Sequence, residues 1–398
     1  MANTRLRAAL GLAALLTSAV SVSGASSSPA VGQARCANGT VAASIAGKSV
    51  CLRRGQKCVK RLERSYHRYG FHCHSARLTG APRQRPPQPP SAGKVVATIN
   101  VPNSGGLATG AGAVWVASTP SHTVTRIDPN TNAVVATVST GGNLDPFHGP
   151  SRLAFGHGTM WVLDGTVGCS CVHRIDPASN TIVATIKLGT PTGPRIAPLG
   201  IAVQSDAVWI AIRAGTEDAP DGSVIRIDPA TNTVSAIIGA GSNPEFGGPT
   251  GIAAEPGSVW AGVPSLKSVV RIDPLTNTVV ATIPGMTCAE GQLAADTSGV
   301  WVADCDSVHR IDRGTNKVTR TVRIPGATGK GAIGIAVGLG SVWAQAGPLF
   351  RIDPASGAVV GVSALDLSLV WGEYSVEVAF DSVWVRQIGG VVRIKPQP

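Results

Sequence analysis

The sequence predicts an all-β protein: a seven-bladed β-propeller of four-stranded antiparallel blades, preceded by a small disulfide-rich module. Three observations predict it. A phrase close to R-I-D-P-x-T-N-x-V-V-A-T-I recurs at Arg126, Arg174, Arg226 and Arg271, with decayed copies at Arg310 and Arg351. A second phrase, close to G-I-A…V-W-V-A, places Trp115, Trp161, Trp209, Trp260, Trp301, Trp343 and Trp384 at gaps of 46, 48, 51, 41, 42 and 41 residues. Only 14% of residues are charged, while 48 Gly and 28 Pro suit short strands and many turns.

Each repeat resolves into four strand-length runs. Around Arg271 they are GIAAE, SVWAGV, SVVRID and NTVVATI, read as strands A to D from the central channel outward. Between C and D, Asp273 is suited to accept backbone N–H groups, Pro274 presets φ, and Asn277 tolerates the left-handed conformation. The tryptophans are expected to pack between adjacent sheets, where large aromatic area is buried. Two broken copies predict how the ring closes. The chain ends on RIKP at Arg393, with no D strand after it, while VVATINV at Val95–Val101 has no RIDP before it. The N-terminal strand is expected to complete the last blade and remove the free seam.

Residues 1–25 read as a signal peptide, with Arg5 and Arg7 before an apolar run from Ala8 to Val22 and small residues after it. That run is short for a membrane span and no later run is long enough, so a secreted or cell-envelope protein is expected. Residues 26–80 form a basic Cys-rich module. A hairpin is expected around Gly47–Lys48, then a short helix with Val59, Leu62, Tyr66 and Tyr69 on one face, ended by Gly70. So small a unit needs staples, and Cys36, Cys51, Cys58 and Cys73 allow three pairings. Residues 81–93 are a proline-rich linker and 94–398 the propeller. Residues 26–94 hold 13 Lys/Arg and one acidic residue, net +12; residues 95–398 hold 19 Lys/Arg and 22 Asp/Glu, net −3. The overall charge of +11 is thus an N-terminal property, which argues against nucleic-acid binding by the ring and points to an anionic envelope polymer for residues 26–80.

Chemistry is expected where the D–A and B–C loops meet, around the channel mouth. Acidic residues there include Asp145, Asp164, Glu217, Asp218, Asp221, Glu245, Asp304, Asp306 and Glu373. The residue that enters each innermost strand reads Gly106, Arg152, Gly200, Gly251, Gln292, Gly334 and Glu377 around the ring. Four glycines are read as keeping the mouth open. Arg152, Gln292 and Glu377 interrupt them with long polar side chains and are the candidate ligand-binding residues, with Arg152 and Glu377 a potential opposite-charge pair. Cys288 and Cys305 stand at strand ends that meet on one face and are expected to bond. CSCVHRID and CDSVHRID put Cys169, Cys171 and His173, and Cys305 and His309, in an alternation that a metal could use, although disulfides compete for the same thiols. Cys169–Cys171 can close a small ring or stay reduced. His148 and His157 sit in Gly-rich loops.

The alternation of these two phrases, from Lys94 to Pro396, resembles bacterial propellers of the YVTN type and of the virginiamycin B lyase-like group. The resemblance implies a seven-bladed ring, and two functional alternatives stand beside it. One is a binding module, expected as a monomer, that presents its loop face to a small polar ligand or a protein. The other is a metal-dependent carbon–oxygen lyase with a departed site. Lyase members carry a catalytic histidine at the strand A entry; here those positions are Gly105, Ser151, Leu199, Thr250, Gly291, Ile333 and Val376. Asp164 and Asp304 stand where the lyase phrase has glutamate after the tryptophan. No cofactor is firmly implied; a divalent cation belongs to the lyase alternative.

Overall fold

The computed structural model describes residues 40–46, 48–79, 90–141, 148–166, 168–189, 198–213, 222–241, 248–289, 291–297, 299–325, 327, 334–363 and 375–397. The expected signal segment, Cys36, the linker up to residue 89 and the acidic residues 145, 217, 218, 221, 245 and 373 lie outside them. The chain divides into two compact units, Met1–Gln88 and Pro89–Pro398.

The second unit is a seven-bladed β-propeller: seven four-stranded antiparallel sheets, six of which run in chain order. Blade 1 comprises Leu107–Gly110, Ala113–Ser118, Thr123–Asp128 and Ala133–Ser139. Blades 2 to 6 repeat it, with innermost strands Pro150–Gly156, Pro198–Gln204, Ile252–Glu255, Leu293–Asp296 and Gly334–Gly338. Blade 7 has Val376–Ala379, Ser382–Gln387 and Gly390–Lys395, and its fourth strand is Lys94–Asn100, paired Arg393 to Ala97 and Gly390 to Asn100. The seam is also tied by hydrogen bonds, from the Ser104 hydroxyl to Gly390 O (3.0 Å) and from Leu107 N to the Ser375 hydroxyl (2.9 Å).

The C–D turns behave as their residues dictate. In blade 1 the Asn130 amide donates to the Asp128 carboxylate (2.8 Å) and the Asn132 amide to Asp128 O (2.8 Å). Asn132, Asn180, Asn232, Asn277 and Asn316 all take φ between 54° and 57°, and Gly357 takes the same place in blade 6. The backbone bonds hold the Asp128, Asp176 and Asp228 carboxyls below their usual range.

The arginine before each turn does more than start it. In each of the seven blades its guanidinium lies over the indole of the tryptophan in the same blade, 4.9–6.0 Å from the ring centroid. In five blades it then reaches the turn of the next. Arg174 donates to Pro229 O and Asn232 Oδ1 (2.8 and 3.0 Å), and Arg271 to Arg313 O and Asn316 Oδ1 (2.8 and 3.0 Å). Arg126 and Arg226 do the same, and Arg393 carries the link across the seam to Pro129 O and Asn132 Oδ1. Each turn asparagine therefore serves twice, as a left-handed corner and as an acceptor. The tryptophans are fully buried between sheets. Apolar clusters mix residues of neighbouring blades, such as Trp161 and Leu163 with Val208 and Ile225, so the core is a set of inter-blade layers.

The first unit contains the expected hairpin, Val41–Ile45 with Lys48–Leu52, and a short helix, Glu63–His67. Gly70 follows at φ 80°. Tyr66 is buried and Leu62 and Tyr69 half-buried, but Val59 is 49% exposed because it caps a preceding 3-10 turn rather than joining the helix face. A second hairpin, His72–His74 with Arg77–Thr79, packs Leu78 with Phe71 and Leu52 in a small core. Cys58 and Cys73 are bonded, with Cα atoms 5.7 Å apart, and Cys51 is also in a disulfide.

Because one guanidinium both stacks and bridges, lysine is a poor substitute. We expect Arg271→Lys to lower stability by about 1–3 kcal/mol, the cost of orphaning turn acceptors and losing the stack. Denaturant unfolding checks this. A double-mutant cycle with Asn316→Ala should show coupling, and independent effects would reject the clasp.

Candidate functional site

The structure gathers Arg152, Gln292 and Glu377 on the wall of one cavity of about 320 Å³ on the ring's axis. Every blade contributes to that wall, from Leu107 in blade 1 to Val376 and Glu377 in blade 7. Each side chain is placed by the register of its innermost strand: Arg152 pairs with Leu163, and Glu377 with Trp384. Arg152 Nε donates to Leu199 O of blade 3 (3.3 Å), and Gln292 Oε1 accepts from Ile335 N of blade 6 (3.3 Å), so both head groups are held from the neighbouring blade. Arg213, exposed, joins the lining from blade 3.

Glu377 has a different environment. It is half-buried, its open side facing the cavity, and burial pushes its carboxyl up from 4.5 to about 8. Desolvation is the whole cause, and no ion pair joins it to Arg152. Arg152 and Glu377, a potential opposite-charge pair by sequence, line the same cavity without forming an ion pair. Near neutral pH the cavity thus presents a protonated carboxyl, an amide and two guanidinium groups, a surface rich in donors.

The glycines have another reason than keeping the mouth open. A Cβ on Gly106 would run into Ser151 O, and one on Gly251 into Gly291 O, both backbone atoms of the following blade. The innermost strands approach too closely there for any side chain.

Asp164 and Asp304 do not line the cavity. Both are buried, 1% and 0% exposed, and hold the ends of their blades together. Asp304 accepts amides of Thr287, Cys288 and Ala289 (2.6, 2.8 and 2.9 Å), and His309 bridges it (3.1 Å) to the Thr321 hydroxyl (3.0 Å). In blade 2, Asp164 accepts the Thr166 amide (2.8 Å), lies 3.3 Å from His173, and His173 reaches the Thr185 hydroxyl (2.9 Å). Burial pushes both carboxyls up, but these hydrogen bonds outweigh it and hold them below their usual range. His173 and His309, which alternate with cysteines in a pattern a metal could use, turn their ring nitrogens to these contacts instead. The missed signal was the pairing of W-V-x-D with V-H-R-I-D, which occurs in blades 2 and 5.

Cys288 and Cys305 are bonded, Cα atoms 5.9 Å apart, as are Cys169 and Cys171. His157 reaches Gln204 O of blade 3 (2.9 Å), and Asp306 stands 3.7 Å from Arg323 at the surface. Among the described residues no convergent set of three His, Cys or carboxylate ligands lies at the cavity, and no helix is long and apolar enough to cross a membrane.

Solved structures share the fold. A streptogramin B lyase matches with a TM-score of 0.60 at 16% identity, over 76% of this chain and 97% of its own. BamB from Moraxella catarrhalis matches with a TM-score of 0.50 at 12% identity, over 87% and 95%. No family model and no curated protein matches the chain.

The titration of Glu377 has a sign. The native state keeps its proton up to about pH 8, whereas the unfolded chain releases it near the ordinary 4.5. Between those values the native state binds more protons, so stability falls as pH rises through that window. Glu377→Gln should therefore gain on the parent progressively between pH 5 and 9, by about 2–3 kcal/mol at the top, less than a dry site would give because cavity water hydrates the carboxylate. Melting curves at five pH values check it; parallel curves would contradict a desolvated carboxyl.

Proposed function

We propose that the chain is an exported, non-catalytic propeller whose axial cavity binds a small ligand bearing a carboxylate or a comparable cluster of acceptors. One observation carries this reading: three side chains that break the pattern of entry glycines line one cavity to which all seven blades contribute. With Glu377 protonated, the cavity's polar lining offers hydrogen-bond donors and guanidinium groups. At about 320 Å³ it lies at the small end of the roughly 300–1,000 Å³ of ligand sites.

A binding role is favoured over a lyase role by residue chemistry. The strand entries carry no histidine, and the two aspartates at the lyase phrase are committed to hydrogen bonds in the blade ends. Export is supported by the N-terminal pattern of Arg5, Arg7 and the apolar run, and by disulfides in both units. The basic residues of 26–80 give that module a role beside an anionic envelope polymer.

Thermal-shift screening of the purified chain against small carboxylates is the direct test. We expect a stabilising ligand, and Arg152→Ala should weaken its binding about 10-fold or more, as for a charge-assisted hydrogen bond. Unchanged affinity in that variant would move the site elsewhere. Binding to polyglutamate should reside in residues 26–80 and fade between 50 mM and 300 mM salt, since screening lengths fall to about 8 Å at physiological strength. Salt-insensitive binding, or binding by the ring alone, would reject the polymer role.

A further inference from the structure

The N-terminal unit carries a cluster of ligand atoms that the cavity does not use. Glu63 and His67 are four residues apart on one helix, so they share a face, and His72 begins the strand that follows. His67 Nε2 lies 2.7 Å from Glu63 Oε1 and 2.9 Å from His72 Nδ1, and His72 Nδ1 is 3.9 Å from Glu63 Oε1. The two rings meet edge to face at 4.3 Å.

Protons serve this arrangement poorly. His67 Nε2 carries either one hydrogen or one lone pair. As a donor to Glu63 it has no lone pair for His72. As an acceptor from His72 it turns a lone pair towards the carboxylate. With both rings protonated, two cations face each other. A metal ion suits all three atoms at once. Ligand atoms about 2.1 Å from a tetrahedral ion stand about 3.4 Å apart, and the observed 2.7, 2.9 and 3.9 Å bracket that spacing.

The cluster is also held in place. The Cys73 amide donates to both Glu63 oxygens (3.0 and 2.9 Å), and that backbone bond keeps the carboxyl below its usual range. Cys73 is itself bonded to Cys58, on the segment that leads into the helix. The outer support of the carboxylate is therefore covalently tethered backbone. Side-chain exposures of 26%, 47% and 61% for Glu63, His67 and His72 leave room for a solvent ligand. Two other groups of potential ligands among the described residues, around Cys169–Cys171 and Cys288–Cys305, have their sulfurs committed to disulfides.

We propose that Glu63, His67 and His72 bind a divalent ion of the zinc class, with water in the fourth position. Two imidazoles and one carboxylate select zinc, copper or nickel over calcium and magnesium, which prefer all-oxygen shells. The site is independent of the axial cavity and stands or falls separately from it.

The test is calorimetric titration of the EDTA-treated, dialysed full chain with Zn²⁺ at pH 7.5. One ion per chain is expected, with no heat from Ca²⁺. His67→Ala and His72→Ala should each weaken binding by more than about 30-fold, and Glu63→Gln, which keeps its shape, by about 10-fold or more. His74→Ala, two residues along the same strand face, should leave binding unchanged. Melting curves in EDTA confirm that the variants fold; should His67→Ala fail, His72→Ala and Glu63→Gln carry the test. Unaltered binding in the folded variants, or an equal loss in His74→Ala, would overturn the site.

Discussion

The ring depends on one contact repeated in five blades, a guanidinium that lies on the indole of its own blade and hydrogen-bonds the turn of the next. A propeller blade cannot bury both faces alone, so stability resides between blades. Apolar layers supply most of that burial but little direction. The arginine adds direction: its planar fork fixes the angle and distance at which one blade meets another, and its face covers a tryptophan whose indole N–H is bonded within its own blade. With the frame set at the C–D turns, the opposite ends of the strands are free to differ, and Arg152, Gln292 and Glu377 stand among those differences.

The architecture was legible because repetition makes it so. Period, turn chemistry and the orphan strand at Val95 pointed to the ring and its closure. The clasp was not legible, because the acceptor for Arg126 is Asn180, in the following repeat, and nothing local marks the pair. The entry glycines misled for a related reason. Seen alone they suggest open space, whereas their cause is a backbone carbonyl one blade away.

The cavity shows the same division. Its three polar residues stood out as breaks in a pattern. That Glu377 holds its proton did not, because desolvation belongs to the walls around it rather than to any neighbour in sequence. Asp164 and Asp304 show the reverse: loop-side acids by position, they are anchored in the blade ends by amides and a histidine. The ligand atoms of Glu63, His67 and His72 were hidden by ordinary helical spacing, since an i, i+4 pair is common and only the fold brings the strand histidine to it.

The closing strand also imposes an order on folding. Six blades are built from neighbouring hairpins whose contacts are local in sequence and form early. The pairing of Lys94–Asn100 with Gly390–Lys395 is the exception, joining segments almost 300 residues apart. Loop-closure entropy grows only with the logarithm of length, so the joint is thermodynamically tolerable, but its sequence separation makes it the slowest of the ring's pairings to close. Until then the third strand of blade 7 presents a bare edge. During synthesis and refolding this is the interval in which a second chain could donate the missing strand, giving a swapped dimer in place of a closed monomer.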